Sequence, residues 1–192
     1  MLAAVFVWLM SYEGLISSYL ALATFVIATF TDWLDGTLAR KYKLSTPFGT
    51  FMDPLTDKIL VLSALLTFVW QNLIPVWMVL IIMAREFIIT GLRVLGESRG
   101  VSLAAIPSGK HKMLSQTVAV LGILLIECIK YSISARTGIP YDTALIRLGT
   151  EGAAVATLLD RLPVILLCWA MVMSVYSGID FVLKHRRLFR MP

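Results

Sequence analysis

Residues 31–58 read TDWLDGTLARKYKLSTPFGTFMDPLTDK, and eight positions among them decide the reading of the chain. They are Asp32-x-x-Asp35-Gly36-x-x-Ala39-Arg40, then eight intervening residues, then Gly49-x-x-x-Asp53-x-x-x-Asp57. Four carboxylates stand inside a very apolar sequence, where ionisable groups are costly and usually functional. On helices, the i,i+3 spacing of the first pair and the i,i+4 spacing of the second each put both residues on one face. Four carboxylates turned to one cavity would repel one another and stay protonated unless cations held them together. The pattern therefore predicts a carboxylate cage for hard divalent cations, Mg2+ or Mn2+. Gly36 and Ala39 leave room for a ligand, and Arg40 suits a phosphate. At about one chance in twenty per position, all eight would coincide at roughly 10⁻¹⁰ per starting point.

Working outward, hydrophobic residues make up 58% of the 192 residues, which predicts an all-α integral membrane protein and excludes an ordinary soluble domain. The length allows one membrane-embedded domain, 1–192. Segments apolar enough to cross a bilayer run from Ser18 to Trp33, Leu55 to Trp70, Pro75 to Leu92, Met113 to Ile129 and Pro163 to Leu183. A sixth, Met1 to Met10, is half the needed length and reads as the end of a truncated first helix. It has no basic leader and no clear cleavage site, so it does not read as a signal peptide. Cys128 and Cys168 lie in or beside apolar stretches without a CxxC partner, which points to buried thiols rather than a disulfide or zinc.

Charge sets the expected orientation. Arg40, Lys41 and Lys43 fall between the second and third spans, and Arg93, Arg99, Lys110 and Lys112 between the fourth and fifth. Lys184, Arg186, Arg187 and Arg190 follow the last span, whereas Gln71 to Ile74 has no charge and Glu13 is alone in the first connection. The positive-inside rule puts the basic segments in the cytoplasm of a multi-pass protein of the cell membrane, with the aspartates at that boundary. Lys130 to Arg161 is then expected outside, with Thr150 to Leu159 as a surface or re-entrant helix. Asp53-Pro54 reads as a helix start with Asp53 as N-cap, and Pro75 and Pro163 suit early helical positions. On this reading the second span ends at Asp32 and Asp35, and the third begins at Asp53 and Asp57.

The eight-position pattern resembles the signature of the CDP-alcohol phosphotransferase family, with every fixed position present. The resemblance covers most of the chain and implies a six-transmembrane-helix bundle that forms a homodimer. It implies that Asp32, Asp35 and Asp53 bind divalent metal and the CDP-linked substrate, and that Asp57 activates the acceptor alcohol while also reaching a metal. Gly36, Ala39, Arg40 and Gly49 would join Asp32 in holding the CDP-lipid. Lys41, Lys43 and Lys58 read as topology or headgroup charges. Relatives usually begin with an amphipathic segment bearing an Asn-x-x-Thr-x-x-Arg-like pattern, which is not found here.

A second stretch bears on the acceptor. Ala84-Arg85-Glu86-Phe87 is followed by Thr90-Gly91-Leu92-Arg93, then by Gly109-Lys110-His111-Lys112 and Gln116. Charges inside an apolar helix are expensive unless paired, so Glu86 is expected to pair with a basic residue. Arg85, Thr90, Arg93, Lys110 and Lys112 then form a cationic pocket for a phosphorylated acceptor. His111 occupies the variable position between the lysines, and His185 belongs to the basic tail. The arrangement is similar to that of the phosphatidylglycerophosphate synthase branch, which implies CDP-diacylglycerol as donor, sn-glycerol 3-phosphate as acceptor and CMP as leaving group. Inositol phosphate, serine or phosphatidylglycerol remain alternative acceptors. An ion or proton transporter is the competing class, disfavoured because the aspartates cluster at one boundary without an acidic relay. No nucleic-acid partner is expected.

Overall fold

The computed structural model describes residues 2–42, 47–98 and 107–184. Within those ranges the side chains at 32, 33, 35–42, 47–57, 97, 98 and 107–111 lie outside the description. The described chain is helical, with no strand: α1 Leu2–Met10, α2 Leu15–Tyr42, α3 Pro47–Trp70, α4 Val76–Ser98, α5 Pro107–Thr137, α6 Tyr141–Ile146 and α7 Thr150–Lys184. The five full-length expected spans fall in α2, α3, α4, α5 and α7, with Pro75 just before the start of α4. Among the described residues, two stretches, Lys112–Thr137 and Thr150–Lys184, are long and apolar enough by themselves to cross a bilayer. Only 44% and 33% of their most apolar windows are buried, so most of that surface points outward, as a lipid-facing surface does. Ile16, Trp70 and Phe87, all at least 65% exposed, extend it onto α2, α3 and α4. These features fit a membrane protein.

Several expected helix ends move. α2 does not stop at Asp35 but runs two turns further, because Leu38, Ala39, Arg40 and Lys41 are strong helix formers and no proline intervenes before Pro47. α3 starts at Pro47, so Asp53 is not an N-cap and Pro54 lies inside the helix. Pro47 takes the first helical position, which its fixed φ and missing N–H suit. Pro163 also lies well inside a helix, because α7 begins at Thr150. The segment expected as a surface or re-entrant helix, Thr150 to Leu159, is thus the first part of α7. Interior proline is tolerated where neighbouring helices satisfy the freed carbonyl, and Pro163 is buried among them. Of the basic residues assigned to connections, Arg40 and Lys41 belong to α2, Arg93 to α4, and Lys110 and Lys112 to α5, while Lys43 and Arg99 lie outside the described residues.

α5 and α7 make the most extensive helix pair, with α2 also packed on α5 and α4 on α7. Gly122 allows the close approach of α5 to α7: a Cβ there would lie 2.7 Å from Leu166 Cδ1. On the other side of α5 the core is filled by Phe25, Leu65, Phe68, Val79 and Ile123, none more than 2% exposed. The short α1 belongs to this core, since Phe6 is fully buried with its ring centroid 5.9 Å from that of Phe25. Gln71 ties α1 to the α3–α4 turn by donating to the Met10 carbonyl at 2.8 Å. That turn closes through Asn72 at φ 57°, a conformation asparagine accepts more readily than most residues. Cys128 is buried and Cys168 half-buried, and both are free thiols.

A polar knot joins α5, α6 and α7. Lys130 Nζ lies 3.2 Å from Glu127 Oε1 and 3.1 Å from Asp160 Oδ1, and 5.1 Å from the centre of the Tyr141 ring. The Tyr141 hydroxyl donates to Asp160. Burial, and then that hydrogen bond, push the Tyr141 hydroxyl above the ordinary phenol range, so it remains a donor at neutral pH. Lys130→Met should destabilise the bundle by about 3–5 kcal/mol, because it strands the nearly buried Glu127 carboxylate without its partner. Thermal unfolding in detergent measures this. Adding Glu127→Gln to the variant should recover part of the loss, and no recovery would show that the knot is not held by this pair.

Candidate functional site

α4 organises the described part of the site. Glu86, Thr90 and Arg93 stand at i, i+4 and i+7, one face of the helix, with Arg85 beside them. Around Glu86 the bundle gathers cations from three helices. The Glu86 carboxylate accepts from Arg85 Nη1 at 2.9 Å, and its Oε1 is also paired with Lys112 of α5. Lys58 of α3 places its Nζ 3.9 Å from Glu86 Oε2 and donates to Thr90 Oγ1 at 2.5 Å. Arg93 lies over the Phe181 ring of α7, 6.0 Å from its centroid, and its charge is felt at both Lys58 and Arg85. Lys112, Arg85 and Glu86 are 10%, 13% and 19% exposed, so these charges interact with little screening.

Among the described residues, three cations, Lys58, Arg85 and Lys112, thus share one carboxylate, with the charge of Arg93 nearby. Around the little-exposed Arg85 and Lys112, such an excess of positive charge is unfavourable without an anion. Three buried polar atoms near the cluster also lack a hydrogen-bond partner. They are Arg85 Nε, Gln116 Nε2 one turn along α5 from Lys112, and Ser174 Oγ one turn along α7 from Ser177. Unsatisfied buried polar atoms are rare in native proteins, and three within one turn of a cationic cluster suit a polar anionic ligand.

The structure brings together four of the five residues expected for the acceptor: Arg85, Thr90, Arg93 and Lys112. Lys110 lies in the first turn of α5, with its side chain outside the description. Glu86 has the basic partners expected of it. Lys58 does not act as a free headgroup charge, because it reaches Thr90 and faces Glu86. Its sequence signal was a lysine at the head of an apolar run, next to Asp57. Ser177, Gly178 and Phe181 carry no comparable signal, since small and aromatic residues are ordinary in membrane helices and their partners are on α4.

The aspartate signature lies on α2 and α3. Asp32, Asp35, Gly36, Ala39 and Arg40 fall in the second half of α2, and Gly49, Asp53 and Asp57 in the first half of α3. Asp35 is two turns before the end of α2, and Asp53 is a little under two turns after the start of α3. Their side chains lie outside the described residues. No group of three or more metal-ligating side chains occurs among the described ones.

A family model described as CDP-alcohol phosphatidyltransferase matches residues 1–176. The chain is 50% identical over 101 residues to a CDP-diacylglycerol–glycerol-3-phosphate 3-phosphatidyltransferase of Bacillus subtilis (strain 168), covering 53% of this chain and 52% of that protein. A protein of the same name from Haemophilus influenzae is 39% identical over 115 residues, covering 56% of this chain and 60% of the relative. A probable phosphatidylglycerophosphate synthase of Mycobacterium tuberculosis is 42% identical over 100 residues, covering 52% and 47%. The chain spans about half the length of the curated relatives it matches. With the family model matching nearly the whole chain, and the aspartate pattern and basic α4 face inside that match, the chain belongs to the CDP-alcohol phosphatidyltransferase family.

Proposed function

We propose that this protein transfers the phosphatidyl group of CDP-diacylglycerol to sn-glycerol 3-phosphate, giving phosphatidylglycerophosphate and CMP. The observation that carries the reading is the convergence of Lys58, Arg85 and Lys112 on the single carboxylate of Glu86, with the charge of Arg93 close to Lys58 and Arg85. An acceptor that bears its own phosphate would supply the missing negative charge, and guanidinium groups match phosphate geometry. A neutral or zwitterionic acceptor would leave the cations under-compensated. The names of the relatives agree with this choice.

In the reaction, the primary hydroxyl oxygen of the acceptor bonds to the β-phosphorus of the CDP-lipid. The bond from that phosphorus to the bridging oxygen breaks, and CMP leaves with the electron pair. Asp57 takes the hydroxyl proton. Its position next to Lys58, which faces Glu86, supports this role. Gly36, Ala39, Arg40 and Gly49 line the CDP-lipid side.

Asp32, Asp35, Asp53 and Asp57 would hold a divalent cation, Mg2+ or Mn2+, since a set of oxygen donors alone suits a hard ion. Bound there, the ion would offset the diphosphate charge as CMP departs. The reading also includes one multi-pass domain with six spans in the cell membrane, the active site facing the cytoplasm, and assembly as a homodimer.

Reconstitution of the full-length protein with CDP-diacylglycerol, Mg2+ or Mn2+ and a panel of acceptors tests the proposal. Mass detection should find phosphatidylglycerophosphate with glycerol 3-phosphate, and little product with inositol phosphate, serine or phosphatidylglycerol. Preference for another acceptor would overturn it. Arg93→Gln or Lys112→Gln should raise the KM for glycerol 3-phosphate about ten- to a hundredfold, the scale of a lost charge-assisted hydrogen bond when substrate dissociates faster than chemistry. The KM for CDP-diacylglycerol should change little. Unchanged acceptor kinetics in both variants would remove the pocket assignment.

A further inference from the structure

Arg85 is held in an unusual way for a charged residue in an apolar helix. Its Nη1 donates to Glu86 Oε1 at 2.9 Å on its own helix, and its Nη2 donates to Ser177 Oγ at 2.9 Å on α7. Its stem lies against the backbone of the next residue of α7. A Cβ placed on Gly178 would come within 3.1 Å of Arg85 Cγ and 3.2 Å of Nε. Gly178 and Ser177 are both buried, so the notch is internal to the α4–α7 interface rather than part of the lipid-facing surface. Within this seat Nε is buried and has no hydrogen-bond partner. The guanidinium is thus fixed from two helices with two of its five N–H groups, and the others are left for a ligand.

We infer that the Ser177–Gly178 step of α7 is a positioning device that seats Arg85 and so fixes its guanidinium in place for the acceptor's phosphate. The inference rests on the proposed reading of this cluster as the acceptor phosphate site. An arginine on a flexible stem must be ordered when its ligand binds, and that ordering opposes binding. The notch orders it beforehand. Ser177 fixes the end of the guanidinium, and the missing Cβ of Gly178 lets the stem pass close to α7. A methyl group at 3.1–3.2 Å is inside ordinary van der Waals contact, and the two hydrogen bonds restrict how far Arg85 can yield. Its guanidinium would therefore shift, and a misplacement of this scale is felt at a site that depends on orientation. Ser177 and Gly178 act through Arg85 and are positioning residues.

Steady-state kinetics on folded, quantified variants in reconstituted vesicles test this. Gly178→Ala and Ser177→Ala should each raise the KM for glycerol 3-phosphate about five- to tenfold, with the KM for CDP-diacylglycerol within about twofold of the parent. Ser177→Thr, which keeps the hydroxyl, should restore most of the acceptor KM. In a double-mutant cycle, Gly178→Ala should add little to Arg85→Gln, because the notch has no effect once the guanidinium is gone. A merely structural role would instead lower yield or kcat and add in full to Arg85→Gln. Should Gly178→Ala fail to insert, Ser177→Ala and its Thr counterpart decide the matter alone. If Arg85→Gln raises the acceptor KM but the notch variants do not, the seating inference is overturned and the acceptor site stands. If Arg85→Gln also leaves that KM unchanged, the acceptor reading and the inference fail together.

Discussion

Asp57→Asn should lower turnover by about 10²–10⁴, the range associated with a positioned proton acceptor, while CDP-lipid binding is largely preserved. The amide is nearly the size of the carboxylate but cannot take the acceptor's proton. Asp57 is the last position of the signature, and it adjoins Lys58, whose ammonium joins the Glu86 cluster. Product formation by mass detection and CDP-lipid binding by titration separate the two effects. Near-normal turnover would rule out an essential base at this residue.

Alanine at Asp32, Asp35 or Asp53 should behave differently, weakening metal-dependent CDP-lipid binding as well as catalysis. A loss of roughly 10²–10³ in turnover is the scale expected when one group that offsets developing charge is removed. The motivation is the donor set itself: two carboxylate pairs at helical spacing, each about two turns from the segment joining α2 and α3. Binding of CDP-lipid should depend on Mg2+ or Mn2+ in the parent and fall on chelation, whereas the variants should respond weakly to added metal. If each variant binds metal and CDP-lipid as the parent does, the cage assignment fails.

The two kinds of variant also separate from those of the basic face. Arg93→Gln and Lys112→Gln act on the acceptor's KM, Asp57→Asn on kcat, and the three alanine variants on the nucleotide-lipid side. One panel of purified variants therefore tests whether the donor and acceptor halves of the site are distinct. It remains informative even if the acceptor is not glycerol 3-phosphate.

By itself the sequence determined the class of the molecule and singled out several residues that the structure gathers around Glu86. Membrane spans are legible because a bilayer demands long apolar runs. The aspartate signature is legible because carboxylates there are too costly to be incidental. The charged stretch of α4 could be singled out because Arg85, Glu86 and Arg93 stand in an apolar helix, where unpaired charge is expensive. Helix ends were the part misread. Asp53-Pro54 and Pro163 carry the local marks of a helix start, yet α3 and α7 run through them, since local capping signals are weak beside helix packing. Only the tertiary structure decided that Lys58 belongs to the cationic cluster, and that Ser177 and Gly178 seat Arg85. Those contacts join residues on different helices, Arg85 and Ser177 being 92 positions apart in the chain. Which helices adjoin, and at what height, follows from packing the whole bundle and leaves no periodicity in any one segment.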